Sequence, residues 1–166
     1  MRAWLLALAL LAVPLAGCAS QPASDPAQDS DLAPQWSFTD TEGTEHSTDS
    51  ASGSPTVIFY MATWCSSCKD MTTEMAQVHE EHASQGVDVF SVTVDPGEGN
   101  EDLENWKAEY DQPWPHGVDE DSQMQRAYNV DSQSSVVVLD AEGSLVEGWG
   151  YGEATAEDVS HAIEAA

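Results

Sequence analysis

The chain has 166 residues, room for one domain and some trimmings. Its 30 Asp and Glu against 4 Lys and Arg give a formal net charge of −26, which excludes nucleic acid and anionic lipid headgroups as partners, since both need clustered cations. Hydrophobic residues make up 41% of the chain and are interleaved with the acids throughout, so we read a folded, salt-adapted (halophilic) domain and not a disordered acidic tail.

Residues 1–17 carry one positive charge at Arg2, an apolar run from Leu5 to Val13 and small residues before a cut site, the pattern of a secretory signal peptide. The run is too short to span a bilayer. Leu15-Ala16-Gly17-Cys18 matches the lipobox of bacterial and archaeal lipoproteins, which implies cleavage before Cys18 and lipidation of its thiol; the alternative is an ordinary signal with an accidental Cys. Residues 18–34, rich in Ala, Ser, Gln, Pro and Asp, read as the lipidated Cys and a flexible acidic linker. Residues 35–166 form the domain.

Within it, Trp36 and Phe38 alternate with polar residues ahead of a turn at Glu42-Gly43, a short strand. Pro55 precedes the apolar, β-branched run Thr56–Met61, which fits a central strand buried on both faces. From Ser66 to Ala83 there is neither Pro nor Gly, and Cys68, Met71, Met75, Val78 and His82 fall on one helical face ended by Gly86. Val87, Val89, Val92 and Val94 mark the next strand, closed by Asp95-Pro96-Gly97. Asn100 is placed to cap a helix bearing Leu103, Trp106 and Tyr110, stopped by Pro113 and Pro115. A short helix over Ser122–Tyr128, a buried strand Val136–Leu139 and an edge strand Ser144–Trp149 follow. Thr155-Ala156-Glu157-Asp158 resembles a capping box opening a last helix with Val159 and Ile163 inward. The order of elements implies an α/β sheet with helices on both faces.

The chemistry concentrates at Trp64-Cys65-Ser66-Ser67-Cys68, two cysteines three apart where a buried strand meets a helix. Cys65 at the helix N-terminus gains thiolate character from the free amides there, and Cys68 one turn on can close a disulfide with it. An exposed Cys65 then attacks a partner disulfide and Cys68 resolves the mixed disulfide. Lys69 is the one nearby cation, whereas the many acids oppose the thiolate and salt screens them. Half of a zinc site would need further ligands, but Cys18 is assigned elsewhere and His79 and His82 lie far along the same helix, so no metal ligands are assigned. A purely structural disulfide closes so small a loop that it adds little stability.

Met61-Ala62-Thr63-Trp64-Cys65-Ser66-Ser67-Cys68-Lys69 resembles the active site of thioredoxin-fold proteins. The run-in at Trp36 and Phe38, the Ser91–Pro96 strand end, the Asn100–Tyr110 helix and the block from Tyr128-Asn129-Val130 to Leu139-Asp140 with its Gly143 turn are similar to membrane-tethered TlpA/ResA-type disulfide reductases and the broader redoxin group. The resemblance spans residues 35–166. It implies a thioredoxin-like fold, a central mixed β-sheet flanked by helices, and an extracytoplasmic thiol–disulfide oxidoreductase, a disulfide reductase. It implies a lipid-anchored monomer on the outer face of the cytoplasmic membrane, acting on protein disulfides such as those of cytochrome c or oxidase assembly clients. A membrane electron donor re-reduces it, and the redox-active disulfide serves without any cofactor. Cys65 is then the nucleophile, Cys68 the resolving thiol, Trp64 a cover over the pair and Lys69 an electrostatic aid. Two departures stand out. Ser134 or Ser135 falls where the family has a cis-proline, and since a cis peptide before Ser costs ~3–4 kcal/mol we expect trans. Phe59 takes the place where thioredoxin has a buried acid.

Val94-Asp95-Pro96 and Tyr128-Asn129-Val130-Asp131-Ser132 also resemble Sco-type copper chaperones. Those use two Cys four apart and a His where Ser132 stands here, and Ser is a poor ligand for Cu(I), so copper is disfavoured. His46, His79, His82, His116 and His161 each read as a solvated or partly buried His, with His116, in a loop between Pro115 and Gly117, the one that could in principle swing in. A third alternative is a redoxin-type peroxidase or antioxidant working through a sulfenic acid on Cys65. Met71 and Met75, with Trp36, Trp106, Trp114 and Trp149, read as packing. Asp95, Glu98, Glu101 and Asp102 read as a solvated acidic loop, and Gly148–Gly152 as a strand-end turn.

Overall fold

The computed structural model describes residues 33–166. The signal segment 1–17, Cys18 and the linker through residue 32 lie outside the described residues. An antiparallel ribbon comes first, Ser37–Thr39 (β1) against Glu45–Ser47 (β2). Asp40 Oδ1 accepts the amides of Glu42 and Thr44 at 2.9 and 2.8 Å and so shapes the turn between them. Ser47 caps a one-turn helix, Thr48–Ala51 (α1). Neither β2 nor α1 follows from the sequence pattern, because Glu-His-Ser and Thr-Asp-Ser-Ala are too short and polar to show a period.

Thr56–Met61 (β3) is buried at all six positions. Its side chains alternate: Val57, Phe59 and Met61 enter one core layer, Ile58 and Tyr60 the other. Ser66–His82 (α2) buries Cys68, Met71, Met75, Val78 and His82, the stripe expected from their spacing. It unwinds through a 3-10 turn to Gly86 in the left-handed region, φ +89.

Asp88–Thr93 (β4) runs parallel to β3. Asn100–Glu109 (α3) follows, but its cap is Gly99 and not Asn100: the Gly99 amide donates to Asp102 Oδ2 at 2.9 Å, and Asn100 is already helical. His116–Val118 (β5) is a short strand parallel to β4, in a stretch read from sequence as a loop because two prolines precede it. After a 3-10 turn comes Gln123–Ala127 (α4), whose Met124 and Gln125 amides donate to the two oxygens of Asp119 at 2.9 Å each. Ser135–Leu139 (β6) pairs antiparallel with β3, and Leu145–Trp149 (β7) pairs antiparallel with β6. Thr155 caps Ala156–Ala165 (α5) through the expected box with Asp158, and Val159 and Ile163 face inward.

The five-stranded mixed sheet has the order β5-β4-β3-β6-β7. One core layer joins it to α2, α3 and α5; the other joins it to the β1–β2 ribbon, α1 and α4. Helices cover both faces, as the order of elements implied. Register sets Met61 beside Thr93 and Tyr60 beside Ser135, so three loops meet at one end of the sheet. They are the loop after β3, the loop after β4 and the loop before β6.

Candidate active site

Ala62, Thr63 and Trp64 carry the chain from β3 into α2, and the Cys65 amide closes that turn on the Ala62 carbonyl at 3.0 Å. Cys65 is the cap residue of α2, with extended backbone and its Sγ accepting the Cys68 amide at 3.1 Å. Cys65 and Cys68 are joined in a disulfide, their Cα atoms 5.2 Å apart. Once the bond is reduced, the Cys65 sulfur sits where the helix dipole and free amides favour a thiolate. The first turn of α2 holds no acidic residue to oppose that. Lys69 is exposed and makes no ion pair among the described residues.

One expectation changes. Cys65 was expected exposed, yet in the disulfide state it is only 2% exposed and Cys68 is 0% exposed, because both sink into the core layer beneath β3. Trp64 instead projects into solvent at 63% exposure, its indole N–H donating to Asp95 Oδ2 at 2.6 Å. The Gly97 amide and the Trp64 indole together hold the Asp95 carboxyl below the usual carboxylate range.

A second correction concerns the acidic loop after β4. Glu98 Oε1 accepts both the amide and the hydroxyl of Thr63, at 2.8 and 2.5 Å, and its Oε2 accepts the Thr93 hydroxyl at 2.5 Å. With Asp95 on Trp64 and Asp102 capping α3, three of the four acids are bound to the protein. From sequence Glu98 reads only as part of a solvated acidic loop, and Thr63 and Thr93 are given no role, because no periodicity marks their contacts. The only signal was a turn sequence, Asp95-Pro96-Gly97, at the motif's end of the sheet.

Of the two serines proposed for the facing loop, Ser134 meets the motif. It is fully buried, its Oγ donates to Ser67 Oγ at 3.0 Å, and its amide donates to the Tyr60 carbonyl at 2.7 Å. Its carbonyl accepts the Gly152 amide at 2.7 Å. Ser135 is the first residue of β6, with its hydroxyl on Ser132 at 3.2 Å. No cis peptide bond occurs among the described residues, and Ser134 lies in the left-handed region at φ +61. Gly152, at φ +66, packs so closely that a Cβ there would lie 2.5 Å from Ser67 Oγ. Phe59 is fully buried in the cluster that holds Cys65 and Cys68, so no carboxyl occupies that place.

The histidines do not converge on the cysteines. His116 lies on β5, fully buried, with Nε2 2.7 Å from Gln112 Oε1 and Nδ1 2.9 Å from the Trp114 carbonyl. Burial pushes its pKa down to about 4. The histidine read from sequence as a solvated or partly buried loop residue is thus a fully buried strand residue. His82 bonds Ser160, His46 bonds Asp40, and His79 packs on Trp114. Among the described residues no group of three or more His, Cys, Asp or Glu is arranged to hold a metal ion.

Residues 30–147 match the AhpC/TSA family. Thiol-disulfide oxidoreductase ResA of Geobacillus kaustophilus (strain HTA426) is 27% identical over 132 residues, covering 80% of this chain and 74% of that protein. Thiol-disulfide oxidoreductase ResA of Bacillus subtilis (strain 168) is 29% identical over 115 residues, 69% of this chain and 63% of that protein. Among solved structures, the thioredoxin domain of a thiol-disulfide oxidoreductase from Bacteroides vulgatus superposes with a TM-score of 0.68 at 20% identity, over 81% of this chain and 94% of that one. StoA from Bacillus subtilis superposes with a TM-score of 0.65 at 19% identity, over 79% and 97%. These likenesses show a thioredoxin-like fold.

Proposed function

The chain belongs to the AhpC/TSA family, and from that premise we propose that it is an extracytoplasmic thiol–disulfide oxidoreductase that reduces disulfides in client proteins. One observation carries the reading: Cys65 caps α2 and is bonded to Cys68 one turn later, beside a loop that places Ser134 against Ser67. The similarity to ResA proteins over most of the chain supports it.

In the reduced protein the Cys65 thiolate attacks a client disulfide. A bond forms between Cys65 Sγ and one client sulfur, and the other client sulfur leaves as a thiolate that takes a proton. Cys68 then loses its proton and attacks Cys65 Sγ, releasing the second client thiol and leaving the Cys65–Cys68 disulfide. Two electrons have passed to the client, and a dithiol donor in the membrane returns them. Cys65 is buried in the disulfide state, so a client must reach it past the exposed Trp64, which is tethered to Asp95.

The signal 1–17 and Cys18 support a lipid-anchored monomer on the outer face of the cytoplasmic membrane, with residues 18–34 as the tether. No helix among the described residues is long and apolar enough to cross a membrane. Cytochrome c or oxidase assembly proteins are the clients this location suggests. The copper-carrier alternative has less support, since Ser132 is a hydroxyl bonded to Ser135 and His116 is fixed in the core.

The deciding experiment is the midpoint potential of the Cys65–Cys68 couple in molar salt. A value near or below about −250 mV is expected of a reductant. A value above about −150 mV would make the protein an oxidant and overturn the reductase reading. Hydrogen peroxide turnover at Cys65 without client reduction would shift the assignment to a peroxidase.

A further inference from the structure

We infer that Glu98 is a positioning residue of the redox centre, a clamp that holds the residues leading into Cys65 so that its sulfur stays at the N-terminus of α2. The inference rests on the redox reading of Cys65 and Cys68 and assigns a role within that site.

A sulfur benefits from the α2 amides only if the turn before it is fixed, because the helix-end effect fades within a turn. The Ala62–Cys65 turn is closed by a single backbone bond, from the Cys65 amide to the Ala62 carbonyl. Glu98 supplies the rest. One of its oxygens takes both donors of Thr63, the amide at 2.8 Å and the hydroxyl at 2.5 Å. Its other oxygen takes the Thr93 hydroxyl at 2.5 Å, so the carboxylate is itself held to the end of β4. Thr93 pairs in register with Met61, and the Val94 amide bonds the Met61 carbonyl at 2.9 Å, so clamp and clamped segment share one rigid sheet end. Thr93 Oγ1 also accepts the Asp95 amide at 3.1 Å, tying Glu98 to the residue that holds the Trp64 indole. The two residues ahead of the nucleophile are therefore both held by one loop, through two carboxylates.

Three donors converging on one side chain demand an acceptor at both oxygens. Glutamine at this position keeps its carbonyl on Thr63 and presents its NH2 to the Thr93 hydroxyl, which can rotate to accept. Alanine leaves the Thr63 amide without a partner and the turn free. Charge and position thus separate. Removing a negative charge near Cys65 favours the thiolate, whereas freeing the turn disfavours it.

The test measures the rate of iodoacetamide alkylation of Cys65 near neutral pH and the equilibrium with glutathione, on the reduced full-length protein in molar salt. Glu98→Ala is expected to slow alkylation at least threefold and to shift the glutathione equilibrium at least threefold, about 14 mV for a two-electron couple. Glu98→Gln is expected to alkylate at least as fast as wild type. Equal changes in Glu98→Ala and Glu98→Gln would reduce Glu98 to a nearby charge. A wild-type alkylation rate in Glu98→Ala, with thermal stability alone reduced, would reduce it to a structural brace. Either result overturns the inference. Should Glu98→Ala not fold, Thr93→Val, which removes one anchor of the clamp, must slow alkylation in the same direction or the inference falls. A wild-type protein that reduces no disulfide would sink the proposed function while leaving the alkylation comparison to decide Glu98.

Discussion

At the scale of single residues, the site depends on positions where the backbone has little freedom. Ser134 adopts φ +61, a region that costs a non-glycine residue about 1–3 kcal/mol, and three hydrogen bonds hold it there. Gly152 faces it at φ +66 with no room for a side chain before Ser67. Gly152→Ala is therefore expected to push the first turn of α2 or the loop itself out of place. It should cost about 1–3 kcal/mol in urea denaturation and slow disulfide exchange. His116 makes a pH prediction. Its folded pKa is lowered from 6.5 to about 4, chiefly by burial. Above pH 6.5 it is neutral in both states and contributes no pH dependence. As the pH falls from 6.5 toward 4 the unfolded chain takes up a proton that the folded chain refuses, so stability drops, by about 3 kcal/mol once below pH 4. Urea midpoints of wild type and His116→Gln across that range should show this slope in the wild type and its loss in the variant.

At the scale of elements, β3 organises the molecule. It is buried on both faces, pairs with β4 and β6, and delivers the chain to the cysteines at its end. Phe59 sits at its middle, opposite Val136 and Ser91, in the cluster that contains both sulfurs. Phe59→Ala is expected to cost about 3–5 kcal/mol in urea unfolding, because the cavity it leaves is enclosed by sheet and helix and cannot collapse. Such a loss beneath the motif should also loosen α2 under Cys65, visible as faster hydrogen exchange of its first-turn amides. The long elements were legible in the sequence because their patterns are plain: an unbroken apolar, β-branched run in β3, and an apolar residue every third or fourth position in α2. The short ones were not. β5 has three residues behind two prolines, and it exists because β4 offers it an edge and the Thr41 amide bonds the His116 carbonyl at 2.9 Å.

At the scale of the whole molecule, the charge dominates. Among the described residues one Lys or Arg pairs with a carboxylate, Lys107 with Glu42 at 3.1 Å, so little of the −26 is offset internally. Self-repulsion then favours expanded states unless counterions screen it, and screening tightens from ~10 Å at 0.1 M salt to ~3 Å at 1 M. The thermal midpoint is expected to rise substantially between dilute buffer and molar salt. An unchanged midpoint would refute salt adaptation.

Local pattern alone located four of the sheet's five strands, the main helices and the cysteine pair, because hydrophobic period and the Trp64-Cys65-Ser66-Ser67-Cys68 spacing are local and survive without knowledge of neighbours. What surrounds that pair depends on contacts between distant parts of the chain. Glu98 lies 35 residues from Thr63, and Ser134 lies 67 residues from Ser67, so their contacts exist only once β3, β4 and β6 are in register. The same register buried His116 and turned a chain of acids that reads as solvated loop into the clamp on Thr63 and Trp64. A carboxylate's role depends on which donors the fold brings within about 3 Å, and that distance is not written along the chain.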